Sequence, residues 1–303
     1  IGRTGVRAVP TIPQKFLDQF PPGFQRMCVK TGDETMHYFE WEGSGPTILL
    51  VHGNPTWAFL YRKIVAHLIK ERDFHIVVPD LIGLGFSSRP KSRAHTLTNH
   101  IDWFEQFVLA LDLREINLVC QDWGGPISIG TFARQPKRLR GIVFLNTALS
   151  PPRENFKQTS FHRFAHTPVI SDIAMRLFEF PQRALHKVQG DPDSIGPDVA
   201  EAYRYPLRNP FTNAAPLALA RMVPNSISHP TVRHLKTIDQ YSKSFSGPVN
   251  IVWGTSDPIL GRTLKRIRLQ FANAEVFETT GGHFLQEEED VLIAQRVAAV
   301  SGP

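Results

Sequence analysis

The sequence predicts an α/β fold in which a mostly parallel sheet is covered by helices on both faces and a helical cap is inserted late in the chain. Three observations predict it. Short apolar runs rich in β-branched residues recur, most of them ended by Gly, Pro, Asn or Asp; amphipathic helical patterns separate them; and this alternation lapses between residues 149 and 245 before it resumes. Continuous apolar strands belong to sheets buried on both faces, and strands alternating with helices imply parallel crossovers.

In chain order, the stretch before about Gln25 reads as an irregular arm and residues 35–42 as an early edge strand. Residues 48–51 end at His52-Gly53, residues 76–78 at Pro79-Asp80, residues 116–120 at Gln121-Asp122, and residues 142–145 at Asn146. Helical spacing over 60–69 and 101–111 fills the gaps, and 123–134 follows the third of these runs as a helix. The interval 149–245 is rich in Pro and Phe, including Phe156, Phe161, Phe164, Phe178, Phe180 and Phe211, and holds no convincing strand. It is too long for a loop and reads as a helical cap. The strand pattern resumes over 249–253, ending at Gly254, and again over 275–278. The core is therefore expected from 1–148 and 246–303, with the cap closing over the carboxyl ends of the strands, where open α/β sheets hold ligands.

The 303 residues are 42% hydrophobic, enough for a large core, and carry 34 Lys+Arg against 28 Asp+Glu. The surplus cations stand singly rather than in runs, so no nucleic-acid partner is expected. Cys28 and Cys120 cannot form a disulfide framework, which fits a reducing cytoplasm. No apolar stretch approaches the roughly 20 residues of a membrane span, and no membrane partner is expected.

Chemistry gathers at the strand ends. In Val119-Cys120-Gln121-Asp122-Trp123-Gly124-Gly125 a strand turns into a helix through small residues, the architecture of a nucleophile elbow with Asp122 where Ser usually stands. Alone, Asp122 reads equally well as a helix cap. A carboxylate nucleophile suits displacement at an sp³ carbon, where it forms an ester that water can cleave. That second step needs a base, and His283 in Gly281-Gly282-His283-Phe284-Leu285 stands where hydrolase folds carry theirs. Asp257, in Trp253-Gly254-Thr255-Ser256-Asp257-Pro258, is the candidate acid; its plainer reading is a turn residue before Pro. The order nucleophile, acid, base matches that of the α/β hydrolases.

These segments, with His52-Gly53-Asn54-Pro55-Thr56, Phe59-Leu60-Tyr61-Arg62, residues 79–87 and Gly282-His283-Phe284-Leu285-Gln286-Glu287, resemble the haloalkane dehalogenases of the α/β-hydrolase superfamily. The resemblance runs from about 35 to 300 and is weakest in the cap. It implies hydrolysis of a halogenated alkane by Asp122, His283 and Asp257, with water as co-substrate, halide as product, and neither cofactor nor metal. The indole N–H of Trp123 is one halide donor. The second is a cap Trp or the Asn of the His-Gly-Asn-Pro-Thr segment in this family; all five tryptophans lie outside 149–245, which leaves Asn54. Backbone N–H groups of Asn54 and Trp123 would hold the oxyanion. In one branch the acid is a Glu after the strand that precedes the cap; here Asn146 stands there, which leaves Asp257. An Asp-His-Asp triad with an Asn-Trp pair resembles the third subfamily, whose members tend to form homo-oligomers. Pro216 is placed near the halide, and Phe156, Phe178, Leu217, Ile259, Leu260 and Leu285 are candidate pocket residues that serve equally well as core.

Two other readings compete. An epoxide hydrolase shares the triad but needs acids for the opening oxygen, for which Tyr203, Tyr205 and Tyr241 are available, although such enzymes usually carry Phe at the position of Asn54. A hydrolase fold retired to binding would keep the sheet and cap without turnover. Trp123 argues against the Arg expected of a fluoroacetate dehalogenase, and a serine esterase lacks its nucleophile here.

Overall fold

The computed structural model describes residues 9–180 and 182–302. Eight strands, β1 (Phe24–Thr31), β2 (Glu34–Trp41), β3 (Thr47–Val51), β4 (His75–Pro79), β5 (Ile116–Cys120), β6 (Leu139–Phe144), β7 (Val249–Gly254) and β8 (Glu275–Thr279), form one sheet in the order β1-β2-β4-β3-β5-β6-β7-β8. From β4 to β8 every pairing is parallel, whereas β1 and β2 run antiparallel to their neighbours. Ile48 and Leu50 of β3 enter one apolar cluster, Leu49 and Val51 the other. This two-residue alternation into two cores is why the central strands read as unbroken apolar runs.

The helices are α1 (Gln14–Leu17), α2 (Arg62–Glu71), α3 (Leu97–Ala110), α4 (Gly124–Phe132), α5 (Ser160–Ala165), α6 (Ile170–Arg176), α7 (Pro197–Arg204), α8 (Ala215–Met222), α9 (Thr231–Ser244), α10 (Leu264–Gln270) and α11 (Asp290–Val300). On one face of the sheet α2 and α11 pack together; α3, α4 and α10 cover the other. Between β6 and β7 lie α5 to α9, and no strand occurs there among the described residues.

Three expectations need correction. The strand expected at 35–42 is β2, but β1 lies outside it, joined by a tight turn in which Gly32 has φ 67°. β1 escaped notice because Arg26 and Lys30 interrupt its apolar positions, as suits an outer strand with a solvated face. The amino-terminal arm is partly ordered into the core: Phe16 and Phe20 are buried, and Phe20 stacks on Phe39 at 4.4 Å between ring centres. Residues 1–8 of that arm lie outside the described residues. Finally, α9 presses Leu235 and Ile238 into the cluster beneath α3 and α4, so the last helix expected of the cap belongs to the core layer. Its amphipathic pattern was legible, but not which surface its apolar stripe would meet.

A buried ion pair ties the layers behind the site. Arg62 of α2 donates to both carboxylate oxygens of Glu287, at 2.6 and 3.0 Å, and Lys63 and the Tyr203 hydroxyl complete the shell. Buried charges persist only when so paired. Arg62→Ala, which strips the main partner from a buried carboxylate, should lower stability by about 3 kcal/mol, measured as a fall in the urea midpoint. An unchanged midpoint would show that Lys63 and Tyr203 suffice.

Candidate active site

The site gathers at the carboxyl ends of β3, β5, β6, β7 and β8, around the point where the chain order reverses on either side of β3. Asp122 lies two residues past the end of β5 and has φ 48°, a left-handed conformation unusual for a side-chain-bearing residue. Its N–H donates to Asn146 O at 2.8 Å, and its carbonyl accepts from Thr147 Oγ1 at 2.7 Å. The turn works only with small neighbours. A Cβ on Gly124 would lie 2.3 Å from Val51 O, and one on Gly53 would lie 2.4 Å from Asp122 Oδ1. Together these contacts hold a sharp strand-to-helix turn with the geometry of an elbow.

The elbow aims the carboxylate at two main-chain donors. Asn54 N donates to Asp122 Oδ1 at 2.7 Å, and the Trp123 N–H also reaches the carboxylate. Burial raises the pKa of Asp122 above the usual carboxylate range; nearby His283 and these two N–H groups oppose the rise without cancelling it.

His283 is buried, with Nε2 3.9 Å from Asp122 Oδ2. Its Nδ1–H donates to Asp257 Oδ2 at 2.9 Å. Burial disfavours the imidazolium, but the Asp257 carboxylate, by charge and hydrogen bond, and Asp122 overcome that penalty and hold the pKa above its ordinary value. Asp257 is the reverse case. Burial pushes its pKa up, yet His283, the Asn146 amide and the N–H of Ile259, which donates to Oδ1 at 2.7 Å, hold it below the ordinary value.

Three contacts add roles that sequence reasoning missed. Asn146 donates from Nδ2 to Asp257 Oδ2 at 2.8 Å and to Gly254 O at 2.9 Å, while its Oδ1 accepts from Gly254 N at 2.8 Å. The residue that cannot itself serve as the acid therefore clamps the acid on the neighbouring strand. Gln121 Nε2 lies 3.1 Å from His283 O and 3.2 Å from His283 Nε2. Both are acceptors when Nδ1 carries the proton, so Gln121 fixes the tautomer in which Nε2 presents its lone pair. The Asn54 amide donates to Pro216 O at 3.0 Å, linking a core loop to α8. The Gln121 signal was available, since it precedes the elbow Asp; the other two depend on pairing across the fold.

Of the remaining candidates, Pro216 thus touches Asn54 through its carbonyl. Leu285 and Leu217 are fully buried, the first in the main core and the second in a small cluster between α5, α6 and α8. Phe156 and Leu260 are partly buried. Phe178 and Ile259 face solvent, at 66% and 44% exposure, and Ile259 acts on the triad through its backbone. The tyrosines sit elsewhere: Tyr203 gives its hydroxyl to Glu287, Tyr205 packs against Phe16, and Tyr241 lies beside Phe245. Among the described residues no cluster of three or more His, Cys, Asp or Glu could hold a metal.

An elbow carboxylate, a main-chain N–H pair and a His-Asp couple on this sheet place the chain in a defined class: it belongs to the alpha/beta hydrolase fold family, whose model matches residues 46–290. Within that family it is a haloalkane dehalogenase-like hydrolase. It is 29% identical over 271 residues, 86% of this chain and 87% of the relative, to a haloalkane dehalogenase of Mycobacterium marinum. The solved haloalkane dehalogenase of Agrobacterium tumefaciens C58 superposes with a TM-score of 0.81 at 25% identity, covering 93% of this chain and 99% of that one. The chain is also 29% identical over 282 residues, 90% of its length and 86% of the relative's, to a cis-3-alkyl-4-alkyloxetan-2-one decarboxylase of Shewanella oneidensis.

The electrostatics have a direct test. With Asp257→Asn the larger of the two charges that lift His283 is gone while its burial remains and only Asp122 still opposes it, so its pKa should fall toward or below the ordinary imidazole value of about 6.5. An NMR titration of His283 would read the fall. An unchanged pKa would assign the stabilisation to another group.

Proposed function

We propose that the protein hydrolyses the carbon–halogen bond of haloalkanes to a primary or secondary alcohol, halide and a proton, through an alkyl ester on Asp122. The observation that carries this is the Asp122 carboxylate itself, set on a nucleophile elbow with His283 Nε2 3.9 Å away. Asp122 attacks the substrate carbon in line and halide departs. A halide leaves as a stable anion and needs no proton; it needs N–H donors where charge develops. The Trp123 indole and the Asn54 amide supply them, the latter oriented by its bond to Pro216 O.

His283, held by Asp257 in the tautomer with an unprotonated Nε2, then takes a proton from water as that water attacks the Asp122 carboxyl carbon. The N–H groups that already meet the carboxylate in the resting site would stabilise the oxyanion. Alcohol leaves with an oxygen that began on Asp122, and the carboxylate keeps the oxygen of water. The epoxide alternative loses support, because Tyr203 is committed to Glu287 and neither other tyrosine meets the triad.

One comparison favours a second reading, opening of a cis-dialkyl oxetan-2-one, since the decarboxylase relative aligns over 90% of the chain. Asp122 would attack the ring carbon that bears oxygen and release a carboxylate held by the same donors. Loss of carbon dioxide would then expel the Asp122 carboxylate and leave an alkene, with no water consumed. Halide release from a brominated alkane by the wild type, absent in Asp122→Ala, supports the dehalogenase; alkene and carbon dioxide from the lactone without halide release supports the decarboxylase.

His283→Ala should leave the first step intact and trap the ester, visible as a stable mass increase equal to the alkyl group. Continued turnover with no adduct would remove His283 from the second step. Asn54→Ala should lower turnover about 10²-fold, the usual effect of losing one donor to developing charge. Near-normal kcat would assign the second halide donor elsewhere.

A further inference from the structure

Half of the exposed large apolar side chains among the described residues fall in one segment of the cap, 169–180. On α6 and its end Ile170, Ile173 and Leu177 point outward, while Ser171 and Met175 are buried, Met175 against Ala165, Leu217 and Ala220. The helix is thus amphipathic in the usual sense on its inner side and apolar again on its outer side. Val169, Phe178 and Phe180 extend the outer patch, and all six side chains are between 42% and 66% exposed. A monomer in water rarely leaves so many together without a use.

The charges bordering the patch say what it meets. Within the patch segment stand two acids, Asp172 and Glu179, beside Arg176 and Arg183. Each acid is shared by two guanidinium groups: Asp172 by Arg176 at 3.7 Å and Arg221 at 2.9 Å, Glu179 by Arg183 at 3.2 Å and Arg204 at 2.7 Å. Every acid is therefore outnumbered, and the border is cationic. A second copy of this chain docking through the same patch would bring two like-charged borders together. An anionic lipid surface complements both parts at once, apolar side chains entering the acyl boundary and cations the headgroups.

We propose that this face of the cap docks the protein peripherally on anionic membranes. This revises the expectation of no membrane partner, which rested on the lack of a span: no described helix is long and apolar enough to cross a bilayer, but surface binding needs none. The proposal stands apart from the reaction assigned above, because binding and not turnover tests it.

The experiment is flotation of the whole protein with phosphatidylglycerol or phosphatidylcholine vesicles. The wild type should float with phosphatidylglycerol, much less with phosphatidylcholine, and release in about 1 M salt, where screening shortens to about 3 Å. Ile170→Asn combined with Leu177→Asn, and separately Arg176→Glu combined with Arg183→Glu, should each cut partitioning at least tenfold with unchanged circular dichroism. Should the first pair fail to fold, the second still decides. Phe178→Trp should shift its emission to the blue when phosphatidylglycerol vesicles are added. A wild type that stays unbound, or charge-reversed protein that floats equally well, overturns the proposal. So does a dimer in gel filtration that Ile170→Asn with Leu177→Asn dissociates, since the patch would then be a contact between copies.

Discussion

The site depends on a backbone constraint at one residue. Asp122 is held at φ 48° between the end of β5 and the start of α4, and that left-handed turn lifts its carboxylate out of the sheet toward the Asn54 and Trp123 N–H groups. A side-chain-bearing residue in this region is strained, and surrounding structure must over-determine it. Here the over-determination is explicit. Asn146 O and Thr147 Oγ1 bind the Asp122 backbone on one side, while Gly53 and Gly124 allow β3 and the following loop to close against it. Without those close approaches the carboxylate would lose its two main-chain N–H donors.

The second dependence is electrostatic. A buried imidazole between two carboxylates favours the charged form, so His283 binds its proton more tightly than a free imidazole. That suits a base which must accept a proton and keep it until the ester is cleaved. The cost would be a site already protonated at neutral pH, and Gln121 works against that by placing an N–H on Nε2, where only an unprotonated nitrogen can accept it. Asn146 completes the arrangement by fixing the Asp257 oxygen that His283 uses. The site thus draws on five strand ends, of which three carry Asp122, Asp257 and His283.

The sequence made the parallel core legible because each central strand is buried on both faces and followed at once by a polar or small residue at its carboxyl end. The same logic exposed Asp122, Asp257 and His283, which all follow such ends, and the structure brings both carboxylates to His283. Less legible was anything fixed by packing between distant segments. β1 hides its pattern because Arg26 and Lys30 interrupt its apolar positions, and α9 shows its apolar stripe without the partner that stripe would meet. Tyr203 illustrates the point most sharply: as a cap tyrosine it read as a candidate acid, but its hydroxyl is committed to Glu287, 84 residues away. Asn146 drew notice only as the wrong residue for an acid, since its clamp on Asp257 spans 111 residues.

The central claim is that Asp122 forms a bond to substrate carbon before water enters. A single turnover in ¹⁸O-labelled water, with enzyme in excess over a brominated alkane, tests this most directly. The account expects unlabelled alcohol and one ¹⁸O atom in the Asp122 carboxylate, located by mass spectrometry of the peptide that contains it. Labelled alcohol with an unlabelled Asp122 would mean that water displaces halide directly, and would contradict the account.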